Sequence, residues 1–120
     1  MRIADYLRNV LSLSASDDAN FVEVLYGIRL DGEIKKITDS LDESISFESE
    51  DYLRSLSKEE ITDAEKDMQV DFVENGIIPI FDTGDNDYIS YDVKKSKWCR
   101  YNIVDEISFS EKNTIEEYFK

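Results

Sequence analysis

The chain has 120 residues, 41% of them hydrophobic, with seven Tyr, six Phe and one Trp. That is the size and apolar content of one folded domain spanning 1–120 rather than of a disordered segment. Fourteen Lys and Arg stand against 28 Asp and Glu, a formal charge of −14. The imbalance is even: residues 1–60 and 61–120 each hold 7 basic and 14 acidic side chains. An anionic body of this kind argues against nucleic acid and anionic membranes as partners, because both are bound through basic surfaces. There is no His, which removes Ser-His-Asp and Cys-His nucleophile systems and His-containing zinc sites. The single Cys99 cannot close an internal disulfide, which suits a reducing cytoplasm. Met1–Tyr6 carries charge and no long apolar run, so it reads as neither signal peptide nor membrane anchor.

The first half has helical periodicity. Ile3, Tyr6, Leu7, Val10 and Leu11 recur on one stripe. Ser14–Asp18 combines a helix stop with helix-start chemistry. Phe21, Val24, Leu25 and Ile28 form a second stripe that should end near Gly32, and Ile34, Ile37 and Leu41 form a third. Residues 42–51 read as an acidic loop around one short strand, Ile45–Phe47.

The period then changes. Tyr52–Leu56 is a strand, followed by a helix over Ser57–Met68 that Ser57 caps while Glu60 reaches back. Gly76 introduces Ile77–Phe81, apolar on both faces as an interior strand requires, with Pro79 restricting pairing on one side. Asp82–Asn86 is a turn. Ile89, Tyr91 and Val93 alternate inward, Lys94–Lys97 turns, and Cys99, Tyr101 and Ile103 alternate again, giving a hairpin. A last helix starts at Asn113 and Thr114, with Ile115, Tyr118 and Phe119 inward. The expected fold is α+β: N-terminal helices followed by a mostly antiparallel sheet (52–56, 76–81, 88–93 and 97–104) with helices packed on one face.

Three strings carry chemistry or its imitation. Asp82-Thr83-Gly84 after an apolar strand is the triplet of aspartic proteases, whose mechanism needs two carboxylates sharing a proton and hence a homodimer here. The second apolar-apolar-Gly support of that fold is missing, since no glycine follows Gly84. Asp82, Asp85, Asn86 and Asp87 offer oxygens to calcium, but position twelve of an EF-hand loop counted from Asp82 is Val93, and Asp and Asn are ordinary turn residues. No metal, cofactor or catalytic residue is therefore expected. The third feature is charge: residues 37–53 hold six acids and 67–93 hold seven, with no Lys or Arg in either stretch. Such runs are solvated surface or a face that steers a basic partner. Lys94, Lys95, Lys97 and Arg100 read as solubilising charges on a hairpin edge. Cys99 reads as a small core residue. Trp98, alternating with Arg100 and Asn102, either packs under a helix or anchors a partner.

From Tyr52 onward, the Ser57–Met68 helix, Gly76-Ile77-Ile78-Pro79-Ile80-Phe81, Gly84–Asp92, Lys97–Glu106 and Thr114–Phe119 together resemble the SUKH superfamily. That group includes fungal regulators of cell-wall synthesis and bacterial immunity proteins. The resemblance spans roughly 69 of 120 residues. Upstream the chain departs from the family pattern: its one proline is Pro79, and Tyr26-Gly27 lacks a preceding Asn. The resemblance implies a SUKH-like fold and a binding protein without catalytic residues, most often one that neutralises a cognate toxin in the cytoplasm. Acidity favours a basic toxin such as a nuclease. The contact residues expected on charge are Asp39, Asp42, Glu43, Glu48, Glu50 and Asp51, with Asp82, Asp85 and Asp87 on the turn and Trp98 as the aromatic anchor. The competing expectation is an acidic nucleic-acid mimic that inhibits DNA-binding proteins through charge spacing.

Overall fold

The structure, a computed structural model, describes residues 1–119. Helix α1 (Ile3–Leu11) buries Tyr6, Leu7 and Val10, as its stripe predicts. Helix α2 is shorter than its stripe: it runs Phe21–Tyr26 and stops at Gly27, whose φ of 66° places it in the left-handed region. Glycine enters that region without steric cost, so the chain leaves the helix there. The face that α2 buries carries Val22 and Glu23 rather than Val24 and Leu25 of the predicted stripe, and Val24 is 72% exposed. Asn20 starts this helix, accepting from the amides of Val22 and Glu23 while the Glu23 carboxylate accepts from the Asn20 amide. Helix α3 (Gly32–Thr38) buries Ile34 and Ile37.

The strand expected at Ile45–Phe47 is reduced to isolated bridges, Ser46 with Arg54 and Glu48 with Arg2. Strand β1 is only Arg54–Ser55. The Ser57–Glu60 capping box is present, but the helix it opens is broken in two: α4 (Lys58–Thr62) and α5 (Ala64–Met68) meet at Asp63, at φ −94° and ψ 1°. A further turn, α6 (Phe72–Asn75), then leads through Gly76 into the sheet. Strands β2 (Ile77–Asp82), β3 (Asp87–Asp92), β4 (Lys97–Asn102) and β5 (Ile107–Lys112) complete a five-stranded antiparallel sheet in the order β1-β2-β3-β4-β5. The chain is α+β, with helices first and an antiparallel sheet after them. Strand β5 is an addition to the expected sheet; all six of its residues are exposed. The last helix is a 3-10 helix, Ile115–Tyr118, with Ile115 buried.

Packing divides between the two sheet faces. The main core joins α1 and α3 to Ile78, Ile80, Phe81, Ile89, Trp98 and Ile115. Trp98 and Cys99 are adjacent and both buried, so they point to opposite faces. Cys99 and Tyr101 meet Ile77, Phe72, Val70 and Ala64 in a smaller second core, so the short helices α5 and α6 cover part of the face that the N-terminal helices leave open. Burial pushes the Cys99 thiol up to about 12, the behaviour of a packed residue rather than a nucleophile.

Helices α2 and α3 are bound by a buried polar network. Lys35 and Glu23 are 5% and 6% exposed and form an ion pair, with Asp39 at 3.6 Å from Lys35 Nζ. Lys35 also donates to the Asp18 carbonyl, and Glu23 accepts from the Leu30 amide at 2.9 Å. Every charged atom of the pair therefore has a partner, the condition under which a buried ion pair is tolerated.

Candidate functional site

An open cleft of about 1020 Å³ lies where the 49–53 segment faces the turn between β2 and β3, with Ile3, Arg100, Tyr118 and Phe119 completing its walls. The two stretches without Lys or Arg meet here: Asp51 comes from the first, Asp82 and Asp85 from the second. Tyr52, Tyr88, Tyr118 and Phe119 supply aromatic surface, with Leu53 and Ile89 beneath them. Tyr52 is 56% exposed.

The acidic turn is tightly specified. The Gly84 amide donates to Asp82 Oδ1 at 2.8 Å, and the Thr83 hydroxyl lies 2.7 Å from both Asp85 Oδ1 and the Asp87 carbonyl. This is the local bonding that makes Asp and Thr turn residues. Asn102 Nδ2 donates to Asp87 at 2.8 Å, and Arg100 lies 3.5 Å from Asp87 and 3.9 Å from Asp85. The Thr83 hydroxyl, aided by Arg100, holds the Asp85 carboxyl below its ordinary value. On the other side Arg54 makes a two-pronged bond to Glu60 at 2.8 and 2.9 Å and lies 3.5 Å from Asp82. Hydrogen bonding to Glu60 raises the Arg54 pKa further. Arg54 Nε also donates to the Tyr52 hydroxyl at 2.9 Å, so one guanidinium connects the helix α4 cap, the acidic turn and the cleft aromatic.

The predicted acids do not form one face. Asp51, Asp82 and Asp85 line the cleft, and Asp87 braces its floor through Arg100 and Asn102. Glu48, 75% exposed, lies 3.7 Å from the amino terminus, and Glu50 is exposed beside Asp51. Asp42 and Glu43 are exposed on the preceding loop and do not line the cleft. Asp39 is set in the α2–α3 network, accepting from Asn20 at 2.9 Å and the Ser16 amide at 2.8 Å. Trp98 takes the packed alternative: it is 1% exposed, edge-on to Tyr91 at 5.2 Å, and presents no surface to a partner. The exposed aromatic of the site is Tyr52. Arg100, read as a solubilising charge, braces the acidic turn instead. The cleft aromatics carry no sequence signal of their own, because Tyr52, Tyr88 and Tyr118 are brought together only by folding.

In the Asp82-Thr83-Gly84 triplet the aspartate is held by its own turn and by a neighbouring cation. Asp82 is bonded to Gly84 and faces Arg54. Among the described residues, no three of His, Cys, Asp and Glu come together in a metal-holding arrangement. No helix among them is long and apolar enough to cross a membrane.

Gly84 shapes the cleft directly. Its φ is +85°, and a Cβ there would sit 3.0 Å from Tyr52 Cδ1. Gly84→Ala should therefore displace Tyr52 and cost about 1–3 kcal/mol of stability, read from the urea midpoint. An unchanged midpoint would show that neither the strain nor the contact matters.

Comparison with family models, with characterised proteins and with solved structures gives no match.

Proposed function

We propose that this chain is a non-catalytic, cytoplasmic binding protein of the immunity type, which neutralises a basic protein toxin by covering its active face. The observation that carries the reading is the convergence of both Lys/Arg-free stretches on one aromatic-lined cleft. Interfaces draw their affinity from a few desolvated aromatic anchors inside a polar rim. Tyr52, Tyr118 and Phe119 supply such anchors, and Asp51, Asp82 and Asp85 supply an anionic rim. An inserted Lys or Arg side chain would meet both carboxylates and ring faces. The SUKH-like order of elements after Tyr52 points to the same class.

The first test is whether the adjacent gene encodes a secreted protein with a C-terminal toxin domain; such a domain is then co-expressed with this chain. Cells should survive with the native chain and die with an Asp51→Lys, Asp85→Lys double variant, both positions being on the cleft rim. Equal killing with and without the native chain, and no isolable complex, would refute the proposal. Inhibition of several unrelated DNA-binding proteins, lost steeply with added salt, would favour the nucleic-acid mimic instead.

A further inference from the structure

Of the cleft aromatics, Tyr88, Tyr118 and Phe119 are half-buried and Tyr52 alone is exposed. Both ends of the Tyr52 side chain are nevertheless held. Its Cβ, Cγ and Cδ1 lie against Gly84, so close that a Cβ on Gly84 would stand 3.0–3.1 Å from them. At the far end the Tyr52 hydroxyl accepts from Arg54 Nε at 2.9 Å. Leu53, between the two residues, is buried and ties the segment to the core.

Arg54 is itself fixed. Its Nη1 and Nη2 donate to the two Glu60 oxygens at 2.9 and 2.8 Å, and Nη1 also donates to Ser44 Oγ at 3.1 Å. Glu60 in turn accepts from the Ser57 amide at 3.1 Å, its half of the α4 capping box. A line of bonds therefore runs from the start of α4 through Glu60 and Arg54 to the Tyr52 hydroxyl. A planar guanidinium fork keeps its direction in such a line, which a lysine ammonium does not.

That restraint does little for folding, because the ring stays largely in solvent and ion pairs near the surface contribute little to stability. What it supplies is orientation. A side chain ordered before the partner arrives loses less conformational freedom on binding, and a few aromatic anchors dominate interface energies.

We infer that Tyr52 is the principal anchor of the cleft and that Arg54, clamped by Glu60, is its positioning residue, presenting the ring to the partner in one orientation. The inference rests on the cleft reading above.

Positioning is tested in the free chain. A nuclear Overhauser cross-peak should join the Tyr52 ring to the Gly84 α protons. Arg54→Lys keeps the charge but has neither the Nε donor nor the fork, and should weaken that peak about twofold or more while the α4 amide shifts persist. Tyr52→Phe removes only the acceptor at an exposed position and should weaken the corresponding Phe peak likewise. Undiminished peaks would overturn the positioning role. The anchor role is tested by titration with a toxin domain that the native chain binds. Tyr52→Ala should lose about 30-fold or more in affinity, and Tyr52→Phe and Arg54→Lys about three- to tenfold each. The double variant Tyr52→Phe, Arg54→Lys should bind no more weakly than the weaker single variant, because both changes cut the same bond. Binding indifferent to Tyr52→Ala, or single losses that multiply in the double variant, would overturn the inference and leave the cleft reading in place. If no toxin domain binds the native chain, the cleft reading itself falls, and the anchor role with it.

Discussion

Lys35→Met is expected to cost roughly 3–5 kcal/mol, the scale for removing one partner of a buried ion pair. The side chain that remains, Glu23, is 6% exposed and would keep a charge with no cation beside it. Its amide donors from Asn20 and Leu30 would persist, which places the loss within that range rather than above it. The double variant Glu23→Gln, Lys35→Met should lose less than the sum of the single changes by about 1–3 kcal/mol, the coupling typical of contacting residues. Additive losses would mean that the pair contributes nothing as a pair.

The same network sets a pH window. Burial by itself pushes the Glu23 carboxyl up, but hydrogen bonds from Lys35 and from the Leu30 and Asn20 amides reverse this and hold it at about 2, against an ordinary 4.5. A lowered carboxyl contributes stability above its unfolded value, and that contribution is lost as pH falls from 4.5 toward 2. Burial pushes Lys35 down, and bonding to Glu23 and the Asp39 charge reverse that, raising it above 10.5. Its contribution is present below 10.5 and is lost as pH rises through the higher folded value. Denaturant midpoints should therefore lose this contribution at both extremes, and the Glu23→Gln, Lys35→Met variant should show a flatter profile.

Trp98→Ala should cost about 3–5 kcal/mol, the scale for emptying a large aromatic site. Trp98 is among the largest fully buried side chains and packs edge-on against Tyr91. Its neighbours belong to β3 and β4 at the centre of the sheet, where collapse around a void is limited. Urea unfolding followed by circular dichroism measures the loss. The milder Trp98→Phe should stay folded and leave partner affinity unchanged, since the side chain reaches no surface. A drop in affinity without a drop in stability would return Trp98 to the interface.

Trp98 also shows where the sequence is legible and where it is not. Period-two alternation separates Trp98 from Cys99 but does not say that both faces of β4 are covered; that depends on α6, a single turn with too few residues to show a period. The α1 stripe and the Ser57–Glu60 box are readable because their signals are local. Asn20 with Glu23 three residues on is the same kind of signal, yet the helix-start chemistry of Ser14–Asp18 points to an earlier start than the observed start of α2 at Phe21. Its end lies at Gly27, where a positive φ stops the chain before the apolar stripe runs out. The α4–α5 break carries neither glycine nor proline, so nothing marks it in the sequence. Strand β5 alternates Ile107, Ser108, Phe109 and Ser110, but it is exposed on both faces and so lacks the apolar density that identified its neighbours. Of the cleft, the acids were legible through charge runs. The aromatics and the bracing roles of Arg54 and Arg100 were not, because they arise from long-range contacts between segments.

The acidic, aromatic-lined cleft is proposed to bind one basic protein partner. Isothermal titration of the purified chain with the toxin domain identified by co-expression tests it most directly. Saturable binding is expected with Kd of about 1 nM or below, weakened by about 100-fold or more in the Asp51→Lys, Asp85→Lys variant, and still tight at 0.5 M salt because the aromatic anchors are not screened. No detectable binding, or binding that the rim variant leaves unchanged, would contradict it.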